Sequence, residues 1–225
     1  MMVLRVVFVV AVVVGVVSGA AVCSDCDGPE PVEVVTYYES MCPFSRKFLT
    51  TQLYPTMKLL PDNVMNVTIV PYGFAHEKEE NGKWVMYNCQ HGPSECVGNA
   101  IAACVLNMTS YESREYMPMI NCMEVNTRHG HQMEALSKCA LANNMSEPEI
   151  LTCYNSTEGS QLHYQMGQIT HAGHIHYVPH INVNGQHSKV IQYNAYNHLL
   201  EVVCQLYKGP EPAACKARQQ ATLVG

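Results

Sequence analysis

The stretch that decides the fold runs from Val32 to Leu60 and reads VEVVTYYESMCPFSRKFLTTQLYPTMKLL. It begins with β-branched and aromatic residues, which are typical of a strand, and ends with apolar residues at helical spacing. Between the two stand Cys42 and Pro43, and proline is well tolerated at the first helical position because its missing N–H needs no partner there. The sequence therefore predicts a strand, a turn and a helix, with Cys42 at the helix N-terminus.

This position suits a reactive cysteine. The dipole and the free backbone N–H groups of a first helical turn favour the thiolate, which is the nucleophilic form of cysteine. A dithiol oxidoreductase carries a second cysteine three residues further on, but this chain reads Cys42, Pro43, Phe44, Ser45. We therefore predict a site with one sulfur, in which Ser45 replaces the resolving cysteine.

The beginning of the chain has the layout of a secretory signal. A short segment ending in Arg5 is followed by the apolar residues 6–17 and then by small residues up to Ala21. The apolar run is too short to span a bilayer. We predict a signal peptide over residues 1–20, no transmembrane segment in the mature chain, and secretion to the extracellular space or to the endosomal or lysosomal lumen.

The cysteines fit this compartment. All 11 lie beyond the signal, and so many in a secreted chain are typical of a disulfide framework. If Cys42 is the free thiol, the other cysteines can all pair, in a pattern that the sequence leaves open. Cys23 and Cys26 match C-x-x-C, but they precede the first strand, so we favour a structural role for them in an arm over residues 22–31.

Glycosylation and charge point the same way. Four N-x-[ST] sequons predict glycans; they lie at Asn66, Asn107, Asn144 and Asn155. The net charge is −6 and 14% of the residues are charged, which leaves no basic stripe for a phosphate backbone. We predict no nucleic-acid partner.

Patterning along the rest of the chain predicts one domain. A second strand over residues 66–70, running on to 75, is expected beside the first one and parallel to it, followed by a charged turn (76–82) and a hairpin arm (83–87). Helices are predicted over 94–107, 116–126, 131–143, 147–154 and 157–171. Strands over 177–183 and 188–192 are predicted to pair across an Asn184-Gly185 turn, before a last helix over 193–207. This layout resembles a thioredoxin fold, so we expect an α/β thioredoxin-like domain over residues 21–225, with a disulfide-rich helical insertion at about 93–172 between βαβ and ββα halves.

The most specific motif is CQHGPSECVGNAIAAC, over residues 89–104. It resembles the C-Q-H-G-x-x-E-C-x-x-N-x-x-x-x-C signature of the gamma-interferon-inducible lysosomal thiol reductase family. Every fixed position is filled, by Cys89, Gln90, His91, Gly92, Glu95, Cys96, Asn99 and Cys104. The resemblance implies a thioredoxin-like fold and reduction of protein disulfides in acidic lysosomes. This chain departs from the family at Ser45, where the usual C-x-x-C has lost its second cysteine.

Taken by its residues, the motif is first a structural element. Its three cysteines can fasten the insertion, Gly92 allows an irregular backbone, and Glu95 suits the N-terminal end of a helix. A zinc site formed by these cysteines and His91 is less favoured, because lumenal cysteines oxidise and the spacing matches no standard zinc finger. We predict no metal and no cofactor.

The fold resemblance also assigns a role to Val178 and Pro179. In thioredoxin-like folds a cis-proline loop packs against the active cysteine and offers backbone groups to an extended substrate peptide. Val178 and Pro179 are therefore predicted to contact substrate, together with Pro43 and Phe44. Several histidines crowd this part of the chain, and we favour a solvated polar loop over a pH switch or a metal site for them. They are His163, His171, His174, His176, His180 and His187.

A single sulfur limits the chemistry. Cys42 can attack a substrate disulfide, but Ser45 cannot displace the product from the resulting mixed disulfide. The favoured hypothesis is a secreted family member that has lost most or all dithiol reductase activity and acts by binding protein partners or trapping them as mixed disulfides. The alternative is a monothiol oxidoreductase that reduces protein disulfides at acidic pH with a small external thiol as resolver. In a third hypothesis, Cys42 is silent and the protein only binds.

Overall fold

The computed structural model describes residues 28–127 and 130–217. The predicted signal peptide lies outside the described residues, as do residues 22–27 of the predicted arm, which include Cys23 and Cys26. At the centre is a three-stranded sheet in the order β2-β1-β5. Strand β1 (Val32–Tyr38) pairs in parallel with β2 (Met65–Pro71) and antiparallel with β5 (His180–Val183). The predicted βαβ unit is therefore present.

The predicted helix follows Cys42. Its segments are α1 (Pro43–Phe48), a π-helical turn (Leu49–Leu53) and α2 (Tyr54–Leu59), which continue one another without a gap. Phe48, Leu49 and Leu53 are fully buried in the core. Burial of this apolar face fixes the helix against the sheet, and with it the turn that carries Cys42.

A hairpin follows β2, and one of its strands corrects the sequence analysis. Residues 76–82 were predicted to be a charged turn, but β3 (His76–Glu80) pairs with β4 (Lys83–Asn88). Asn81 and Gly82 form the turn with φ of 53° and 76°, the positive values that a type I′ turn requires. The prediction was wrong because the side chains of β3 are mostly exposed, so the strand lacks an apolar pattern.

The helical insertion matches the prediction closely. It consists of α3 (Pro93–Met108), α4 (Ser113–Asn126), α5 (Gln132–Ala142), α6 (Glu147–Asn155) and α7 (Thr157–Ala172). Two disulfides fasten it: Cys104–Cys153 joins α3 to α6, and Cys122–Cys139 joins α4 to α5. These helices enclose one core that is continuous with the sheet.

Two arginines connect the insertion to the helix after Cys42. Arg114 in α4 donates to the carbonyl of Leu60, just beyond α2. Arg46 in α1 donates through its Nε to the carbonyl of Glu124 (2.9 Å) and through its Nη2 to that of Thr127 (2.7 Å). Carbonyl groups at helix ends lack helical partners, so these bonds satisfy acceptors that would otherwise need water. The insertion is thereby held against the Cys42 helix.

The end of the chain differs from the prediction. Residues 188–192 were expected to form a returning strand, but helix α8 (Lys189–Leu206) begins there. Ser188 caps this helix, and its hydroxyl accepts from the Ile191 N–H at 3.1 Å. The second half is therefore βα instead of ββα.

Side chains replace the missing strand beside β5. Gln192 Oε1 accepts from the Ile181 N–H at 3.0 Å, and His187 Nδ1 donates to the Ile181 carbonyl at 2.9 Å. His187, just before α8, and Gln192, in its first turn, thus supply hydrogen bonds that a strand would have made. None of the helices in the two described ranges is both long and apolar enough to cross a bilayer.

Candidate functional site

Cys42 is the free cysteine of the described residues. It stands directly before α1, its side chain is 4% exposed, and its Sγ lies 3.8 Å from the carbonyl oxygen of Val178. The peptide bond between Val178 and Pro179 is cis, as the resemblance implied. The thiol therefore lies at the junction of the Cys42 turn and the cis-proline loop.

Every other described cysteine is paired. The bridges are Cys89–Cys96, Cys104–Cys153, Cys122–Cys139 and Cys204–Cys215. The three cysteines of the less favoured zinc site are thus disulfide-bonded and are not available as thiolate ligands.

Ser45 lies one turn into the helix and is fully buried. Its Oγ accepts from the Glu39 N–H at 3.5 Å. The position predicted for a resolving cysteine is therefore occupied by a hydroxyl that contacts the backbone of the preceding turn, and it offers no second sulfur.

An acidic cluster beside Cys42 was missed by the sequence analysis. Glu39 is fully buried, and its Oε1 accepts from the Phe74 N–H at 2.8 Å. Its Oε2 makes no aligned hydrogen bond within the described part of the chain, although His91 Nδ1 is 3.3 Å away. The same nitrogen lies 2.5 Å from Glu95 Oε2. Burial raises the pKa of Glu39 to about 7, against the lowering effect of the Phe74 N–H.

Glycine at position 73 makes room for this carboxylate. Gly73 has a φ of +64°, and a Cβ built on it would lie 2.1 Å from the Cγ of Glu39. A side chain at position 73 would displace Glu39, so the shape of the cluster depends on this glycine.

The signature motif forms the wall of the site. Asn99 accepts from the Ser40 N–H at 2.9 Å and donates to the Tyr72 carbonyl at 3.3 Å, while Ser40 Oγ donates to the Glu95 carbonyl at 3.2 Å. Gly92, with φ of +90°, lets the chain turn from His91 into α3. The motif thus supplies hydrogen bonds that hold this wall, and it also places His91 beside Cys42 and Glu95 beside His91. Gln90 is exposed.

An apolar groove of about 330 Å³ adjoins the cis-proline loop. Phe44 and Tyr193 line it, and each is 66% exposed. Tyr196 completes this side, and its hydroxyl donates to the Phe44 carbonyl at 3.4 Å. Exposed aromatic rings around a groove are typical of a binding surface. The sequence analysis predicted Phe44 and Pro179 for this role but missed the two tyrosines, which come from α8.

The histidines do not form one cluster. His163 is buried against Tyr72, whereas His174 and His176 are exposed. His180 and His187 stack at 3.8 Å between ring centroids, beside β5. The favoured solvated loop therefore describes only part of the set.

The sequon asparagines differ in exposure. Asn66, Asn144 and Asn155 are exposed, and Asn107 on α3 is half-buried. Their glycosylation stays a prediction.

Fold and site together define a class: a thioredoxin-fold protein with one free cysteine at the turn before α1, facing a cis-proline loop. A thioredoxin-like oxidoreductase from Silicibacter pomeroyi matches the structure with a TM-score of 0.51 at 11% identity, over 76% of this chain and 87% of that one. This likeness concerns the fold alone.

Sequence comparison identifies the family. Residues 33–143 match the family described as gamma interferon inducible lysosomal thiol reductase (GILT). The chain is 40% identical over 190 residues to the gamma-interferon-inducible lysosomal thiol reductase of Carassius auratus, covering 82% of this chain and 72% of that protein. It is 36% identical over 192 residues to the Mus musculus protein of the same name, covering 83% and 73%. The chain belongs to this family.

Proposed function

We propose that this protein is a secreted GILT-family member that binds protein partners at the groove beside Pro179 and traps them as mixed disulfides at Cys42. Attack by the Cys42 thiolate breaks the partner's disulfide, forms a new sulfur–sulfur bond to Cys42, and leaves the partner's second sulfur as a thiolate that takes up a proton. The observation that carries the proposal is Ser45, since the adduct has no internal thiol to release it.

The groove supports capture of a polypeptide. Phe44 and Tyr193 present apolar surface directly beside the loop whose Val178 carbonyl approaches the sulfur. An extended segment lying there brings a disulfide to Cys42, and the aromatic rings supply contacts that do not depend on the covalent bond. Secretion, or delivery to the endosomal and lysosomal lumen, is part of the proposal and rests on the signal-like beginning of the chain and on the family.

Trapping is tested with a disulfide-bonded protein such as insulin at about pH 5, where an ordinary thiol is almost wholly protonated. Adducts are expected on non-reducing gels, sensitive to reductant and absent from Cys42→Ser. Phe44→Ser should slow adduct formation, while Leu59→Ser, which removes a 56% exposed side chain at the far end of the same helix, should not.

Two outcomes oppose the proposal. Partner binding that is equal in parent and Cys42→Ser, without adducts, assigns the function to surface contacts. Rapid substrate reduction when a small external thiol is added, with no lasting adduct, shows instead the monothiol oxidoreductase.

A further inference from the structure

Three kinds of zinc ligand meet at Cys42. One atom each from the Glu39 carboxylate, the Cys42 thiol and the His91 imidazole lie within 4.8 Å of one another. Zinc bonds are about 2.0 Å to nitrogen or oxygen and about 2.3 Å to sulfur, so the edges of a tetrahedral site measure about 3.3 to 3.5 Å. The distance from His91 Nδ1 to Glu39 Oε2 is 3.3 Å, which already matches such an edge.

The cluster has a buried oxygen without a well-aligned donor. Glu39 is fully buried, and its Oε2 has no aligned hydrogen bond to any described group. A second carboxylate, Glu95, is 1% exposed and also lies against His91. Arg46 is engaged with Glu124. A buried carboxylate oxygen with only the poorly aligned His91 nitrogen beside it is costly, and a bound cation would give it a stronger partner.

We propose that Glu39, Cys42 and His91 form a binding site for one divalent ion of the zinc type. Glu39 Oε2, Cys42 Sγ and an imidazole nitrogen of His91 are the protein ligands. The fourth position takes water, because Glu95 Oε2 is 2.5 Å from His91 Nδ1, closer than the edge of a tetrahedral site allows. Binding breaks the S–H bond of Cys42, releases its proton to solvent and forms a metal–sulfur bond, without oxidation or reduction.

The ion and a partner disulfide compete for the same sulfur. A metal-bound Cys42 cannot form a mixed disulfide, so bound metal holds the site inactive and its removal activates it. This regulatory consequence rests on the proposed function. Metal binding itself does not depend on trapping, because it needs Cys42 only as a free thiol beside Glu39 and His91.

The site is tested on the mature full chain, freed of metal with a chelator and titrated with Zn²⁺ at about pH 7 in competition with a chromogenic chelator. One bound ion per chain is expected. Alkylation of Cys42, followed by mass spectrometry, should slow by about tenfold or more with Zn²⁺ and recover when chelator is added. With Co²⁺, a thiolate-to-cobalt charge-transfer band should appear.

Variants identify the ligands. Cys42→Ser, Glu39→Gln and His91→Ala should each weaken Zn²⁺ binding by about tenfold or more. His131→Ala, which removes an exposed histidine paired with Glu134, should bind like the parent. Because Cys42→Ser retains Cys23 and Cys26, it also shows whether those two cysteines bind Zn²⁺ by themselves.

Zn²⁺ binding that survives in Cys42→Ser, or alkylation at the same rate with and without Zn²⁺, overturns the site. If Glu39→Gln fails to fold, the cobalt spectrum of the parent protein still tests the site. Bound Co²⁺ without a thiolate charge-transfer band would exclude Cys42 as a ligand. The two proposals separate cleanly: adducts without metal binding refute only the metal site, and metal binding without adducts refutes only trapping.

Discussion

Replacing Ser45 by cysteine should restore dithiol chemistry. The side chain is fully buried, and its one described hydrogen bond, from the Glu39 N–H, is long at 3.5 Å. Losing that bond should cost less than about 1 kcal/mol of stability. Positions 42 and 45 are one helical turn apart, where Cβ atoms are about 5 to 6 Å from one another, within reach of a disulfide after a small adjustment.

The gain in rate follows from proximity. A thiol at position 45 would resolve the mixed disulfide about ten times faster than an external thiol at about 1 mM if its effective concentration were only about 10 mM. Well-oriented groups reach effective concentrations of roughly 10⁵ M. Ser45→Cys should therefore raise disulfide reductase activity by at least about tenfold.

The measurement is insulin reduction at about pH 5 with external thiol, for the parent, Ser45→Cys and Ser45→Ala. The alanine variant loses the same hydroxyl without gaining a thiol, so it should remain as slow as the parent. A Ser45→Cys protein that is folded, forms a reducible bond to Cys42 and is still inert would contradict this reasoning. The proposed loss of reductase activity would then reside in other residues of the site as well.

Three further predictions test the thiol, a buried histidine and the disulfides. Cys42 should be the one residue labelled when the unreduced mature protein is alkylated and mapped by mass spectrometry; label elsewhere, with Cys42 bridged, would contradict its assignment. Burial lowers the pKa of His163 from 6.5 to about 3, so as pH falls below 6.5 the unfolded chain takes up a proton that the folded one does not, and stability falls. Between pH 7 and pH 5, the free energy of unfolding of the parent, measured with denaturant, should fall by about 2 kcal/mol more than that of His163→Gln. An equal fall in both proteins would show that His163 is not the cause. Removing the Cys104–Cys153 bridge, whose cysteines are 49 residues apart, should lower the free energy of unfolding by about 4 kcal/mol. Removing the Cys89–Cys96 bridge, with a separation of 7, should lower it by about 2 kcal/mol. Equal losses in urea unfolding would argue against loop entropy as the cause.

The parts that the sequence predicted well are those in which local pattern and packing agree. The strand before Cys42 and the helix after Pro43 carry their own periodicity, and both formed where expected. The helices of the insertion were predicted to within a few residues. Even the cis bond at Pro179 could be anticipated, because the fold resemblance supplied it.

Glu39 could not be predicted in the same way. It stands three residues before Cys42, but its partner His91 lies far along the chain, and their approach depends on how α3 docks on the turn. The two strand errors have a similar cause. β3 gains its hydrogen bonds from β4, and residues 188–192 lose their strand character to a helix that begins at a serine cap. In each case a contact between distant or competing segments outweighs local propensity.

The side-chain cover over β5 has a consequence for self-association. An edge strand with free N–H and C=O groups is a template onto which a second chain can add, and concentrated proteins aggregate through such edges. Here Gln192 and His187 already bond both backbone groups of Ile181. A second copy would have to break these bonds before it could extend the sheet, so the segment that leads into α8 protects the chain from edge-to-edge assembly at that residue.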